Sequence, residues 1–169
     1  MENVAATRQA GRARRTARPS PVDVGIRLAG AGLLLGNAWI HQHLVDIGYG
    51  TVPTIGSLFR LDAALAVLAA AAVLFAPGRW FPLACAAGAL LQLGTIGALV
   101  QSLTIGAFGF TETLDAPLVP QAFVVEGLGA AVLLFGVYRT RGYWLRSTGQ
   151  RSTGQRSSGQ HRSGDAAPR

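Results

Sequence analysis

The stretch Trp39–Asp62, WIHQHLVDIGYGTVPTIGSLFRLD, closes one long apolar segment, turns and opens the next. Its two edges carry the ionisable residues His41, His43, Arg60 and Asp62. The apolar segments on either side indicate the fold class. Ionisable groups next to apolar runs of membrane-spanning length are unusual and need partners. The edges of this stretch are therefore the first place to look for a functional site.

The composition and the placement of charge indicate a membrane protein. Of 169 residues, 50% are hydrophobic and 14% are charged, whereas a soluble domain has about 25% charged residues. All 15 basic residues are arginines, and most lie within residues 8–18 and 139–169. Basic ends around apolar segments are typical of membrane proteins with cytoplasmic tails. A nucleic-acid-binding module needs a basic face on a folded domain, so no nucleic-acid partner is predicted.

The chain is predicted to be an all-α membrane protein, a four-transmembrane-helix bundle within residues 23–145. The predicted helices are about 24–45, 57–76, 81–103 and 117–138. A run of ~20 apolar residues spans the ~30 Å hydrocarbon layer, and the first run has this length. Arginine is absent from the two outer loops of this topology, and Arg79 lies in its inner turn. Both termini are therefore predicted to be cytoplasmic, in a multi-pass protein of the bacterial inner membrane.

Two basic tails flank this domain. Residues 1–22 lack apolar periodicity, and residues 146–169 repeat Arg, Ser, Gly and Gln with a period of five. Such compositions do not bury a core, so both tails are predicted to be disordered. The start of the fourth helix is predicted to be capped by Asp115.

Several polar residues are predicted to lie in the outer half of the membrane. Counting ~1.5 Å per residue places Asn37 and Glu126 at a similar depth, with His41 nearer the outer edge. The uncharged part of the second segment is too short to span alone, so Arg60 and Asp62 are expected in the outer interface or against other helices. The candidate polar pocket consists of Asn37, His41, Arg60, Asp62, Gln101, Gln121 and Glu126.

Glu126 is the costliest of these residues, because a carboxylate at its depth must be protonated, paired or hydrated. Arg60 and His41 are the expected partners, with Asn37 donating a hydrogen bond from the same depth. Two interpretations remain open. One is a polar pocket, open to the outer face, that relays protons or binds a polar headgroup. The other is a buried ion pair that fixes the order of the helices.

Known catalytic motifs are absent from the sequence. It contains no HExxH, CxxC, P-loop or GxSxG, so no catalytic or metal-binding residues are predicted. His41 and His43 are the only histidines in the apolar segments and lie on one helix. Haem held by two histidines needs ligands that face inward from the bundle helices, which argues against haem here.

GYGTVPTIGSLF after the histidine-bearing first helix, and SLTIGAFGFTE after the third, resemble a group of small four-helix membrane proteins from actinobacteria. The resemblance covers roughly residues 24–140. A looser likeness, at the level of the fold, is to DoxX-like membrane proteins. The actinobacterial group is largely uncharacterised, so the resemblance implies the topology and no reaction.

Two functions are consistent with these features. The first is an accessory or small-solute membrane protein with no catalytic site of its own. The alternative is a membrane oxidoreductase subunit that binds a quinone near His41 and Glu126, and no other cofactor is predicted. The expected partners are the lipid bilayer and either another membrane protein or a second copy of the chain.

Overall fold

The computed structural model describes the backbone of residues 20–154 and the side chains of residues 20–140. This part of the chain is all-helical, with a 3₁₀ turn at Tyr49–Thr51 after the first long helix. The four long helices are α1, Pro21–Ile47; α2, Ile55–Phe75; α3, Phe81–Thr104; and α4, Val119–Gly154. The predicted disorder of residues 1–19 and 155–169 lies outside the described residues.

Helix α1 begins at Pro21, earlier than predicted, because a capping box fixes its first turn. The Ser20 hydroxyl accepts a hydrogen bond from the Asp23 N–H at 3.1 Å, and the Asp23 carboxylate accepts one from the Ser20 N–H at 3.2 Å. Pro21 suits the first helical position, where a missing N–H does no harm. The end of the predicted tail 1–22 therefore belongs to the helix.

Helix α4 differs from its prediction at both ends. It begins at Val119, since Leu118 has a positive φ of 63° that is incompatible with a helix, and Asp115 does not cap it. It continues to Gly154, so the backbone of residues 146–154 is helical where a disordered tail was predicted. No proline interrupts this segment, but its serine, threonine and glycine residues have low helix propensity, so composition alone does not indicate the helix.

Three of the four helices are long and apolar enough to cross a membrane: α2, α3 and residues 119–140 of α4. Helix α1 is not among them, although its 27 residues extend over ~40 Å. The reason is its content of polar side chains, which include Asn37, His41, Gln42 and His43. Three of the four predicted apolar spans therefore have the length and composition to cross a membrane. The fourth, α1, is a more polar helix packed beside them.

The helices form an antiparallel bundle in which α1 contacts α2 and α4, and α3 contacts α2 and α4. The centre of the bundle is an apolar core around Leu34 and Leu133, both fully buried. Gly30 and Gly88 lie directly against Leu133. A larger residue at either glycine would collide with this leucine, so these glycines set how closely the helices approach.

Arg27 connects the beginning of α1 to the end of α2. Its guanidinium donates hydrogen bonds of 2.8 Å to the carbonyl oxygens of Val73, Leu74 and Ala76, and lies 4.1 Å from the centre of the Phe81 ring. The last carbonyls of a helix have no partners within the helix, and charge-assisted hydrogen bonds are stronger than neutral ones. Arg27 therefore stabilises this end of the bundle.

The turn between α1 and α2 depends on two glycines that pack backbone to backbone. A Cβ atom on Gly56 would lie 2.8 Å from the Cα and carbonyl oxygen of Gly50 and from the carbonyl oxygen of Tyr49. Backbone atoms at this distance cannot move aside without displacing the turn. The glycines of the sequence GYGTVPTIG therefore allow α2 to start immediately beneath the end of α1.

We expect Gly56→Ala to destabilise the protein by about 1–3 kcal/mol, the usual cost of forcing an extra carbon into a packed site. Circular dichroism during thermal unfolding in a mild detergent measures the effect as a lower midpoint. Gly97→Ala in α3 is the matched control, because no described atom lies within 4 Å of a Cβ at that position. Equal midpoints for Gly56→Ala and the unaltered protein would contradict the proposed packing.

Candidate functional site

Four buried polar side chains from three helices meet near the end of the bundle that carries the 48–54 and 105–118 connections. Asn37 and His41 come from α1, Asp62 from α2 and Glu126 from α4, and all four are buried. Asn37 and His41 are four residues apart, so they lie on one face of α1. We call these four residues the polar cluster.

Asn37 and His41 both contact one oxygen of Asp62. The Asn37 amide donates a hydrogen bond of 2.8 Å to Asp62 Oδ2, and His41 Nδ1 lies 3.2 Å from the same oxygen. His41 Nδ1 also lies 3.1 Å from the backbone oxygen of Asn37. Because a carbonyl oxygen can only accept a hydrogen bond, we assign the proton to Nδ1. The other ring nitrogen, Nε2, then faces away from Asp62.

Glu126 lies on the Nε2 side of His41. Its Oε1 is 4.0 Å from His41 Nε2, which is within ion-pair range but too long for a direct hydrogen bond. Its Oε2 has no hydrogen-bond partner among the described residues, and the residue is only 1% exposed. Asn37 Oδ1 and Asp62 Oδ1 also lack partners among the described residues, but Glu126 is the member of the polar cluster that makes no direct hydrogen bond to another. A buried acid in this position is energetically costly.

A cavity of about 350 Å³ extends from the polar cluster toward the connections at the same end of the bundle. His41, Asp62 and Glu126 are its buried ionisable residues, and its apolar walls are mostly leucine and phenylalanine. Pockets of about 300–1,000 Å³ with apolar walls and a few polar groups are typical small-molecule sites. We call this cavity the apolar pocket.

The apolar pocket opens sideways between α2 and α3. Leu58, Leu61 and Leu65 of α2 and Leu90 of α3 line it and are 40–70% exposed. At the end of the bundle, Ala107 and Val119 line the pocket and are buried. Phe108 and Pro117 of the 105–118 connection also line the pocket and are exposed. The pocket lining is therefore exposed between α2 and α3 as well as at the end of the bundle, and the predicted opening at the outer face stays a prediction. The exposed side chains of the lining are all apolar.

Tyr49 and two phenylalanines form an aromatic group beside the end of the pocket that faces the 48–54 and 105–118 connections. The Tyr49 ring stacks on Phe59 at 5.6 Å and meets Phe110 edge-on at 5.8 Å. Burial, together with the neighbouring Glu112 carboxylate, raises the pKa of the Tyr49 phenol to about 12. Tyr49 is therefore neutral at ordinary pH, and Glu112 is the acidic group nearest to this end.

Three predicted site residues do not join the polar cluster. Arg60, Gln101 and Gln121 are exposed and do not line the apolar pocket. Arg60 precedes Asp62 by two residues, about 200° around the helix, so the two side chains point in different directions. Its guanidinium lies beside Gly50 instead. The expected contact between Arg60 and Glu126 is therefore wrong, and Asp62 is the charged residue of α2 that enters the site.

The sequence did not indicate some residues of the site. Thr95 and Ser102 of α3 line the apolar pocket, and Thr95 lies beside Glu126. Single hydroxyl residues are common in apolar helices, so no pattern distinguished them. Gln92 is fully buried beside Gly129 and has no hydrogen-bond partner among the described residues.

No three histidine, cysteine, aspartate or glutamate side chains within residues 20–140 are grouped closely enough to hold a metal ion. Comparisons with protein-family models, with curated proteins and with solved structures find no match to this chain. The resemblance to small actinobacterial and DoxX-like membrane proteins therefore stays a prediction. The function must be argued from the geometry of the site.

The hydrogen bond between Asn37 and Asp62 can be tested with a double-mutant cycle. We expect Asn37→Ala and Asp62→Ala each to destabilise the protein by about 1–3 kcal/mol, because each leaves a buried partner unsatisfied. The double variant should lose less than the sum of the two, since neither partner remains. Unfolding in mixed detergent micelles, followed by tryptophan fluorescence, provides the measurement.

Gln42→Ala is the control for this cycle. Gln42 donates a 3.0 Å hydrogen bond to Asp46 on the same helix, but both residues are exposed. Exposed pairs contribute about 0–1 kcal/mol, so this change should have little effect. Strictly additive losses for Asn37→Ala and Asp62→Ala would show that the two side chains do not interact.

Proposed function

We propose that this chain is a multi-pass protein of the bacterial inner membrane, with four spans and both termini in the cytoplasm. The outward face of α1 supports a span by this helix too, because Leu28 and Trp39 are about 60% exposed. Its polar side chains Asn37 and His41 face the interior of the bundle. Trp39 and Trp80 are exposed near opposite ends of the bundle, as expected for aromatic residues at the two membrane interfaces.

We further propose that the protein binds a small lipophilic molecule in the apolar pocket and has no catalytic site of its own. The observation that carries this proposal is a cavity with apolar walls whose lining includes the buried ionisable residues His41, Asp62 and Glu126. Apolar walls favour a hydrocarbon body, while the polar cluster orients one polar group of the ligand. The exposed wall between α2 and α3 lets such a molecule enter from the lipid. This is the role of an accessory or small-solute membrane protein.

Quinone binding by an oxidoreductase subunit is a second candidate. His41 Nε2 and Glu126 both line the apolar pocket. With the proton on Nδ1, Nε2 would accept a hydrogen bond from a quinol hydroxyl, and the carboxyl group of Glu126 would be a nearby proton carrier. A purified sample that absorbs as a quinone, and that yields quinone on solvent extraction, would favour this candidate. A colourless and quinone-free sample would favour the first.

Reporter fusions test the proposed topology. A fusion after Arg146 should be active with a cytoplasmic reporter, and insertions after Val52 and within residues 111–116 should be active with a periplasmic one. A cytoplasmic reporter fused to the N-terminus, combined with the insertion after Val52, tests α1 in particular, because the two positions lie on opposite sides of the membrane only if α1 crosses it. Cytoplasmic activity from either insertion would contradict four spans with both termini inside.

A substitution that fills the apolar pocket tests ligand binding. Leu65 lines the pocket, so Leu65→Trp should reduce the amount of small apolar molecules that co-purify in mild detergent by several-fold, as measured by mass spectrometry of solvent extracts. Leu68→Trp is the matched control, because Leu68 lies on the same helix, is 66% exposed and does not line the pocket. The same extract from both variants would argue against a ligand in this pocket.

A further inference from the structure

We propose that the molecule bound in the apolar pocket is a lipophilic cation, such as an amine or quaternary ammonium with an apolar body. This inference rests on the proposed binding function and names the class of ligand. It is carried by the charges around the pocket and by the position of Glu126.

Acidic groups outnumber basic groups around the apolar pocket. Its ionisable lining residues are His41, Asp62, Glu112 and Glu126, and no arginine of the described residues lines it. Arg60 is the nearest arginine in sequence, but it is exposed and lies beside Gly50. The described lining therefore supplies no permanent positive charge to face its three carboxyl groups.

The contacts within the polar cluster account for one carboxylate. Asp62 Oδ2 receives the Asn37 amide at 2.8 Å and faces His41 Nδ1 at 3.2 Å. An imidazole carries at most one positive charge, and its closer contact is with Asp62. Glu126 has Thr95 beside it and lies 4.0 Å from His41. One of its oxygens, like Asp62 Oδ1, has no partner within the described part of the chain.

The surroundings of Glu126 favour a cation over a neutral or anionic ligand. An ionised Glu126 needs a counter-charge in apolar surroundings, and a hydroxyl or carbonyl group would supply only a hydrogen bond. An anion would be repelled by two buried acids and by Glu112. A cation supplies the missing charge, and the leucine and phenylalanine walls hold its apolar body.

The aromatic residues of the pocket suit the same ligand class. Phe59 lies edge-on to His41, with 5.0 Å between the ring centres, and lines the pocket together with Phe110. Aromatic faces attract ammonium groups, most strongly where water is excluded. Phe59 and Phe110 therefore favour a cation as the ligand of the pocket.

Ions of matched shape and opposite charge test this inference. Tetraphenylphosphonium and tetraphenylborate differ mainly in the sign of their charge, and benzyltrimethylammonium is a smaller cation. Equilibrium dialysis of the full-length protein in a neutral, mild detergent, corrected for binding to empty micelles, gives the affinities. We expect saturable binding of at least one of the two cations, at least tenfold tighter than that of the borate.

Glu126→Gln should weaken binding of that cation at least tenfold, because the amide keeps the shape and removes the charge. Asp46→Asn should leave it unchanged, since Asp46 is exposed and lies outside the pocket. Size-exclusion chromatography establishes that both variants are folded. If Glu126→Gln does not fold, the preference between the two tetraphenyl ions in the unaltered protein still decides the question.

Three results would overturn the inference. The first is equal binding of the phosphonium and the borate, and the second is full affinity for the cation in folded Glu126→Gln. The third is saturable binding of neutral triphenylphosphine oxide, blocked by Leu65→Trp, without binding of either cation. This third result would leave the proposed binding function intact. If neither the cations nor the neutral probe binds, and the Leu65→Trp extract is unchanged, both the inference and the binding function fail.

Discussion

The hydrogen bond from Asn37 to Asp62 sets how α1 and α2 lie against each other. Both side chains are short and buried, so the 2.8 Å contact fixes the rotation and the axial position of each helix within narrow limits. His41 joins the same aspartate one turn further along α1. In apolar surroundings these polar groups have few alternative partners, and a shift of one residue along either helix would leave several of them without one.

A different polar contact stabilises the opposite end of the bundle. Arg27 binds three carbonyl oxygens at the end of α2 and packs on Phe81 at the start of α3. Asp23 lies 3.8 Å from Arg139 at the same end and brings α4 against α1. Between these two polar layers the core is apolar, centred on Leu34 and Leu133. The two polar layers select one arrangement of the helices. The apolar core and its glycines set the distances between the helices.

The position of the apolar pocket follows from the uneven packing of the bundle. Asn37 and Asp62 hold α1 against α2, and Gly88, packed on Leu133, brings α3 against α4. Contacts between α2 and α3 are less extensive than either of these. The cavity lies beside this less tightly packed pair, and Glu126 reaches it from α4. Because α2 and α3 pack less closely, a pocket forms beside them and its apolar wall is exposed.

The sequence by itself determined the helical fold and the approximate extent of the helices, and it placed Asn37, His41 and Glu126 together among the candidate site residues. Length, apolar composition and residue counting are properties of the chain taken one segment at a time, so they can be read without neighbours. The sequence did not decide whether Arg60 or Asp62 enters the bundle. Side chains two positions apart on a helix point about 200° away from each other. Only the packing against α1 shows which of the two faces the interior of the bundle.

The ends of α4, the sideways opening of the pocket and the contribution of Thr95 were likewise decided only by the tertiary structure. A positive φ at Leu118 depends on how the 105–118 connection folds back, and no residue type in it requires that conformation. A cavity is a property of the space between helices. It depends on relative rotations and distances, which apolar helices of similar composition leave undetermined until they pack.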